Sequence, residues 1–202
     1  GTTQEGAGWY QVTQKNGERW STARAYLDPV RARSNLSIVT DAQVLNLLFD
    51  GRRAVGVRFA LGGHDVREVR VRREVIVAAG ALQSPQLLML SGIGPAAYLQ
   101  SLGILVVADV PQVGQNLQDH LDIIVNRRVK NSDLLGLSIP GGLKLLRAIG
   151  RWRRERRGVV ASNFAEAGAF VRTLPELDRP DLQLHFVIGM VDNHNRTWHW
   201  GH

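Results

Sequence analysis

Residues 73–95 decide the fold, and they read Arg73-Glu-Val-Ile-Val-Ala-Ala-Gly-Ala-Leu-Gln-Ser-Pro-Gln-Leu-Leu-Met-Leu-Ser-Gly-Ile-Gly-Pro95. Val75-Ile76-Val77 is a short β-branched run, which predicts a strand buried on both faces. Residues 78–81 carry almost no side chain, so backbone or ligand can approach closely where the strand ends. A strand, a glycine turn and a helix in this order direct backbone N–H groups toward an anionic ligand.

The helix in this stretch has recognisable ends. Ser84 and Pro85 predict its N-cap and first position, because the hydroxyl can accept from a free N–H and proline needs no donor there. Gly92 and Gly94 predict its end. Its apolar face consists of leucines, namely Leu87, Leu88 and Leu90. The same residues also suit a strand-turn-helix unit of any α/β protein.

Composition indicates an ordinary globular protein. The 202 residues are 44% hydrophobic and 21% charged, which excludes a disordered chain. No apolar run approaches the roughly 20 residues of a membrane-spanning helix, and the first residues lack the pattern of a signal peptide. The chain has no cysteine, which rules out disulfides and thiolate metal sites.

The net charge is +7, and much of the positive charge lies in one segment, Arg151-Trp-Arg-Arg-Glu-Arg-Arg157. Residues 140–157 are interpreted as an amphipathic helix with a cationic C-terminal end, which suits the helix dipole. Three roles stay open for it: a solvated helix end, contact with an anionic membrane surface, or contact with an acidic partner. No nucleic-acid-binding module is recognisable, so no nucleic-acid partner is expected.

The rest of the chain alternates strand and helix patterns, with a composition change near His120. Helices are predicted from Ser21 or Thr22 to about residue 33 and at 96–102. An antiparallel meander is predicted to lead into the strand at 75–77. The predicted strands cover 9–14, 36–39, 43–49, 54–59, 66–71, 75–77, 104–108, 121–129, 163–172 and 183–187.

Residues 73–95 resemble the second signature of the glucose-methanol-choline (GMC) flavoprotein oxidoreductases. The matching positions are Gly80-Ala81, Ser84-Pro85, Leu87-Leu88 and Ser91-Gly92-Ile93-Gly94. The resemblance extends over nearly the whole chain and is nearest the bacterial choline dehydrogenases and aliphatic or polyethylene-glycol alcohol dehydrogenases. Further matching segments are Ser21-Thr-Ala-Arg-Ala-Tyr-Leu27, Gly114-Gln-Asn-Leu-Gln-Asp-His120 and Ser162-Asn-Phe-Ala-Glu-Ala-Gly-Ala-Phe170.

The resemblance implies an α/β chain of α+β two-domain type. It would comprise part of a split, Rossmann-like FAD-binding domain and part of an antiparallel-sheet substrate-binding domain. Residues 21–120 are assigned to the FAD-binding domain, with the second signature at 81–95. Residues 121–202 are assigned to the substrate-binding domain, and residues 1–20 form a leading strand region expected to pack with it.

Four residues are carried over as cofactor contacts. Val44 matches the position whose backbone contacts the adenine, since a strand's N–H and C=O can mimic a base-pair edge. Ala79, Gly80 and Ala81 match the turn beside the ribose and diphosphate of FAD. Val44 could equally be a core strand residue.

Three residues in and after the polar loop are candidates for substrate contact. Asn116 and His120 lie in the loop, although such side chains often hydrogen-bond their own backbone. Asp122 matches a glutamate that meets the cationic substrate head in choline-active members, and it would favour a cationic or hydroxyl-rich substrate. Its alternative role is a strand residue facing solvent.

Two parts of the family's chemistry are missing. No G-x-G-x-x-G follows an N-terminal strand, and no C-terminal segment supplies the active-site histidine that acts as general base. No catalytic residue is therefore assigned within the chain, which is interpreted as an internal piece of a longer oxidoreductase. His194, His199 and His202 are interpreted as a chance cluster, and no metal site is expected.

The function that follows from the resemblance is FAD-dependent oxidation of a primary alcohol, with hydride transfer to flavin N5 and an aldehyde as product. The substrate would be a choline-like, aliphatic or polyethylene-glycol alcohol, and the electron acceptor a quinone or oxygen. The expected location is the bacterial cytoplasm or the periphery of its membrane. The alternative function is a non-catalytic module that binds an acidic partner or an anionic surface through the arginine-rich helix.

Overall fold

The computed structural model describes residues 3–127 and 138–189, which form ten strands and three α-helices. The helices are α1 (Gly80–Leu90), α2 (Ala96–Ser101) and α3 (Ile139–Glu155). The strands are β1 (Gly6–Trp9), β2 (Gln14–Lys15), β3 (Glu18–Arg19), β4 (Ala42–Asp50), β5 (Arg53–Leu61), β6 (Asp65–Arg70), β7 (Ile93–Gly94), β8 (Ala108–Asp109), β9 (Ala167–Val171) and β10 (Leu182–Phe186).

The chain divides into two compact units. The central unit is Ser34–Leu121, and the terminal unit combines Gly1–Arg33 with Asp122–His202. The assignment of residues 21–120 to an FAD-binding domain, and of the flanking residues to a substrate-binding domain, stays a prediction.

The central unit is built on an antiparallel sheet in the order β4-β5-β6. Gly51 at φ +58° closes the first hairpin, where glycine avoids the penalty of a left-handed backbone. The predicted meander is thereby confirmed, with each strand within two residues of its predicted bounds. The buried hydrophobic residues among those described, Leu47, Ala60 and Leu99, all lie in this unit.

Helix α1 packs against β4 and ends as predicted at a glycine turn. Gly92 follows it at φ +88°, and the backbone carbonyl of Gly92 accepts from Val107 N at 2.8 Å and Ala108 N at 3.1 Å. This contact brings β7 and β8 together as a short parallel pair. The predicted strand at 104–108 is wrong in extent, because only residues 108–109 find a strand partner.

The predicted start of α1 is wrong. The helix begins at Gly80, and Pro85 lies inside it rather than at its first position. The Ser84 hydroxyl accepts from the backbone N–H of Ala79 at 3.0 Å, so it bonds backward to the residue before the helix instead of capping a later turn. Pro85 is the sixth residue of the helix, so the helix lacks one intrahelical hydrogen bond at this position.

The strand predicted at 75–77 is also absent. These residues belong to no regular element, and Ile76 is 80% exposed. No strand among the described residues pairs with them, and a strand requires hydrogen-bonded neighbours. The strand predicted at 36–39 fails for the same reason. The strand predicted at 121–129 is absent over 121–127, and its last two residues lie outside the described part.

The terminal unit contains an antiparallel sheet in the order β1-β9-β10 and a β2-β3 hairpin. The hairpin turns at Asn16 and Gly17, both at positive φ, as the favoured two-residue turns require. The strand predicted over 9–14 is wrong, because only its end residues lie in strands, Trp9 in β1 and Gln14 in β2. The strand at 183–187 is confirmed as β10, and the strand at 163–172 is confirmed only over β9.

Helix α3 confirms the predicted amphipathic helix. Ser138 caps its start, since the hydroxyl accepts from the Gly141 backbone N–H at 3.1 Å. The Trp152 indole N–H donates to the Gly17 carbonyl at 2.7 Å, which attaches the helix end to the β2-β3 hairpin. The Arg156 guanidinium lies 4.5 Å from the Trp152 ring and pairs with Glu18 at 2.7 Å.

Among the described residues no helix is both long and apolar enough to span a membrane.

The terminal unit is expected to lose stability in acid through Asp181. Hydrogen bonds from the Thr173 hydroxyl and then its backbone N–H hold the pKa of the Asp181 carboxyl below its ordinary value. A lowered folded pKa stabilises the fold above the unfolded pKa of about 4, and this stabilisation disappears as the pH falls through the folded value. Asp181→Asn should therefore flatten the fall of the thermal unfolding midpoint between neutral and acidic pH.

The control for this prediction is Asp178→Asn, which removes a nearby exposed carboxylate outside the Thr173 pair. It should leave the pH dependence close to that of the unchanged protein. Equal slopes in Asp181→Asn and Asp178→Asn would contradict the assignment.

Candidate cofactor site

The N-terminus of α1 presents free backbone donors to its surroundings. Its N-cap, Ala79, makes no side-chain capping bond, and no acidic residue occupies the first turn within this fully described helix. Gly80 stands at φ +88°, and the space that a Cβ would occupy there contains no atom of the described residues within 4 Å. Ala79, Gly80 and Ala81 are all exposed. Uncapped N–H groups and the positive end of the helix dipole together suit an anionic ligand.

Val44 lies on β4 next to an irregularity of the sheet. It pairs with Phe59, and the register shifts between Val44 and Asn46, as in a β-bulge. Its side chain is half-buried, and its carbonyl accepts from the Gln43 side-chain amide at 3.3 Å. Val44 is therefore a strand residue, as expected, at a point where the backbone ladder is interrupted.

A hydroxyl group joins the two elements that carry the predicted cofactor residues. Ser91 Oγ accepts from the backbone N–H of Leu47 at 2.8 Å and donates to the Leu87 carbonyl at 2.6 Å. Sequence reasoning did not single out Ser91 as functional. The available signal was a polar side chain directly after the apolar run at residues 87–90, but its partner is 44 residues away in the sequence.

The predicted substrate residues of the loop hold local hydrogen bonds. Asn116 has a left-handed backbone at φ +55°, and its Oδ1 accepts from Gln118 Nε2 at 2.9 Å. The backbone N–H of His120 donates to Asp119 Oδ1 at 2.8 Å, which leaves the exposed imidazole outside that bond. The alternative role, a bond from the candidate's side chain to the loop backbone, is therefore seen in these bonds for neither Asn116 nor His120.

Asp122 belongs to the terminal unit and is exposed. It lies in a non-sheet stretch beside Leu121, which is 97% exposed, and Ile123, which is 81% exposed. Asn116 and His120 belong to the central unit. The three candidates for substrate contact therefore do not form a single site within either unit.

No group of three or more potential metal ligands occurs in the part of the chain that the structure describes. The histidines at 194, 199 and 202 lie outside that part. The donors at the start of α1 are of the kind that binds a phosphate or diphosphate group, so the residues present fit the anionic portion of a dinucleotide.

A sequence model of the GMC oxidoreductase family matches residues 1–122. The chain belongs to the GMC oxidoreductase family. The resemblance carried by the second signature is thus confirmed, and the GMC match includes Val44 on β4 as well as the turn before α1.

Among its relatives, this GMC chain is 46% identical to an alcohol dehydrogenase [acceptor] of Pseudomonas putida over 200 residues, with 97% of this chain and 36% of the relative aligned. It is 47% identical to an oxygen-dependent choline dehydrogenase of Pseudomonas fluorescens, with 93% and 33% aligned. The chain therefore spans about a third of the length of these relatives.

Solved GMC-like structures share the fold. The formate oxidase of Aspergillus oryzae, in a structure concerned with FAD modification, superposes with a TM-score of 0.76 at 26% identity, over 92% of this chain and 36% of that one. An FAD-dependent oxidoreductase of Chaetomium thermophilum gives a TM-score of 0.69 at 26% identity, over 83% and 30%. The predicted mixed class of helices and strands is confirmed.

Proposed function

We propose that this chain contributes the adenosine-diphosphate side of an FAD site in a GMC alcohol dehydrogenase. The backbone of Val44 would contact the adenine, and the N–H groups of Gly80 and Ala81 would hold the diphosphate. The observation that carries this proposal is the exposed, uncapped start of α1, a helix whose other end is hydrogen-bonded through Ser91 to the strand that bears Val44. A helix start with free donors and no acidic neighbour stabilises a bound anion.

FAD, when bound, supplies flavin N5 as acceptor of a hydride from the carbinol carbon of a primary alcohol, leaving an aldehyde. The residues of this chain would bind and orient, since no general base is assigned among them. The histidine expected for that role in this family is proposed to lie outside these 202 residues. Asn116 and His120 are proposed substrate contacts, and the Asp122 carboxylate favours a cationic or hydroxyl-rich alcohol.

The names of the relatives support this proposal. They are an alcohol dehydrogenase that uses an unspecified acceptor and choline dehydrogenases that are described as oxygen-dependent. We propose a choline-like, aliphatic or polyethylene-glycol alcohol as substrate and a quinone or oxygen as electron acceptor. The proposed location is the bacterial cytoplasm or the periphery of the cytoplasmic membrane.

The proposal is tested with the full-length protein reconstituted with FAD. The flavin spectrum should appear in the purified protein, and an alcohol substrate should bleach it in the absence of oxygen. Comparison of choline, a long-chain aliphatic alcohol and polyethylene glycol identifies the class, and dye reduction against oxygen consumption identifies the acceptor. Failure to retain any flavin after reconstitution would contradict the proposal.

A second candidate function is contact with an anionic membrane surface through α3. Leu145 is exposed in its N-terminal half, and so are three further apolar side chains, Ile139, Leu143 and Leu146. These three share one helical face, which continues toward Arg153 and Arg154. The acidic residue of this helix, Glu155, is paired with Arg151 at 3.0 Å, so it does not offset the cations of that face. Exposed leucines beside arginines suit the interface of an anionic bilayer.

Replacement of Leu143 and Leu146 by asparagine should reduce sedimentation of the full-length protein with phosphatidylglycerol-rich vesicles by about tenfold. The reason is that two buried leucines contribute about 1.5–3 kcal/mol each at most, and the interface buries them only in part. Leu102→Asn is the matched control, because this leucine is also exposed but lies after α2. Equal binding of all three proteins, or absence of binding by the unchanged protein, would rule this contact out.

A further inference from the structure

Ser91 is the only buried polar or charged residue among those that the structure describes, at 7% exposure. Its hydroxyl is used twice, since it accepts from the Leu47 N–H and donates to the Leu87 carbonyl. Its backbone N–H bonds to the carbonyls of Leu87 and Leu88 at the end of α1. The side chain therefore makes one bond within its own helix and one to a different element.

The bond to Leu47 closes an otherwise open edge of the sheet. Among the described strands β4 pairs only with β5, so its other edge faces α1. Leu47 is 6% exposed, and its N–H at this edge has the Ser91 hydroxyl as its partner. A buried backbone donor without a partner is strongly unfavourable, which makes this hydroxyl an obligatory contact.

The bond also holds a short regular segment of β4 on the far side of the irregularity from Val44. The register of β4 against β5 shifts between Val44 and Asn46 and again between Leu48 and Phe49. Residues 46–48 are therefore bracketed by two irregularities, and strands with such interruptions have weakly specified positions unless another contact holds them. Ser91 holds the central residue of this short segment.

Because of the length of α1, this bond at its C-terminal end affects the position of its first residue. Ser91 is the C-cap of α1, and Gly80 is its first residue. Eleven residues at 1.5 Å each span about 16 Å, so a tilt of about 5° at Ser91 moves the helix start by more than ~1 Å. Val44 lies three residues from Leu47, or about 10 Å along the strand.

We propose that Ser91 is a positioning residue that sets the spacing between the adenine contact at Val44 and the diphosphate contact at the start of α1. This inference rests on the proposed FAD site. It assigns to Ser91 no contact with the cofactor. Ser91 should therefore affect the affinity only of ligands that reach both contacts at once, because that affinity depends on the spacing between the two contacts.

The test compares ADP with adenosine as ligands of the full-length apoprotein. ADP reaches both contacts, whereas adenosine reaches only the adenine contact. Ser91→Ala should weaken ADP binding by roughly tenfold, because the two contacts are no longer held at the spacing that ADP needs, and change adenosine binding by less than about twofold. Ser101→Ala is the matched control, because its hydroxyl also donates to a carbonyl of its own helix, that of Tyr98 at 2.7 Å, but Ser101 is exposed.

A merely structural role predicts another pattern. Ser91→Ala would then lower the thermal unfolding midpoint while the folded protein binds both ligands with unchanged affinity, or it would weaken both ligands equally. Either result overturns the proposal. If Ser91→Ala does not fold, Ser91→Cys, of similar size and weaker hydrogen bonding, is measured with the same criteria. Failure of the unchanged protein to bind FAD and ADP would instead overturn the FAD site itself.

Discussion

Gly92→Ala is expected to lower the free energy of unfolding of the central unit by about 3 kcal/mol, because two unfavourable effects add. Gly92 has a backbone at φ +88°, which an L-residue adopts only with strain. A Cβ at this position would lie 2.3 Å from the Leu105 carbonyl oxygen and 3.0 Å from a methyl group of Val107. The backbone bonds from Val107 and Ala108 to the Gly92 carbonyl leave no room for the chain to move away.

Chemical denaturation monitored by circular dichroism measures this change. Gly103→Ala is the matched control, since Gly103 also follows a helix and has φ +72°, but no atom of the described residues lies within 4 Å of its Cβ position. The control should lose only about 1 kcal/mol from backbone strain. Equal losses of unfolding free energy in the two variants would show that the close contacts at the Cβ position of Gly92 do not affect stability.

Ala81→Asp is expected to weaken FAD binding by about 100-fold while leaving the fold intact or slightly more stable. A carboxylate in the first turn of α1 interacts favourably with the helix dipole, by about 0.3–1 kcal/mol. The same carboxylate repels the diphosphate and competes for the free N–H groups at the helix start. The substitution should therefore lower FAD affinity without lowering the stability of the fold. A variant that failed to fold would lose both.

Titration of the full-length apoprotein with FAD, beside its thermal unfolding midpoint, measures both effects. Gln86→Glu is the matched control, because Gln86 is exposed on the same helix and the substitution adds the same charge beyond the first turn. It should bind FAD within about threefold of the unchanged protein, since surface charge is largely screened at that distance. Similar weakening in both variants would place the diphosphate away from the start of α1.

Local signals in the sequence predicted the elements that depend on nearby residues. The meander of β4, β5 and β6 follows from alternation and glycine turns, and α3 follows from its amphipathic pattern and its cationic C-terminal end. The strand at 75–77 was not predictable in this way. Its β-branched residues favour a strand, but a strand forms only where another strand pairs with it, and none among the described residues does.

The candidate site shows the same difference between features with a local sequence signal and contacts between distant residues. The sequence and its family resemblance indicated Val44 and residues 79–81, and the structure locates them on β4 and at the start of α1. Their contact with a cofactor stays a prediction. The sequence predicted the start of α1 at the wrong place, because Ser84 and Pro85 resemble an N-cap and a first helical residue. In the structure the Ser84 hydroxyl accepts instead from the backbone N–H of Ala79. The link from Ser91 to Leu47 joins residues distant in sequence, so no local pattern could have revealed it.

The central claim is that the start of α1 holds the diphosphate of FAD. A crystal structure of the full-length protein with FAD tests it most directly, through the distances from the diphosphate oxygens to the backbone nitrogens of Gly80 and Ala81. The account predicts at least one such distance of about 2.7–3.2 Å, within hydrogen-bonding range. A bound diphosphate with no oxygen in range of either nitrogen would contradict it.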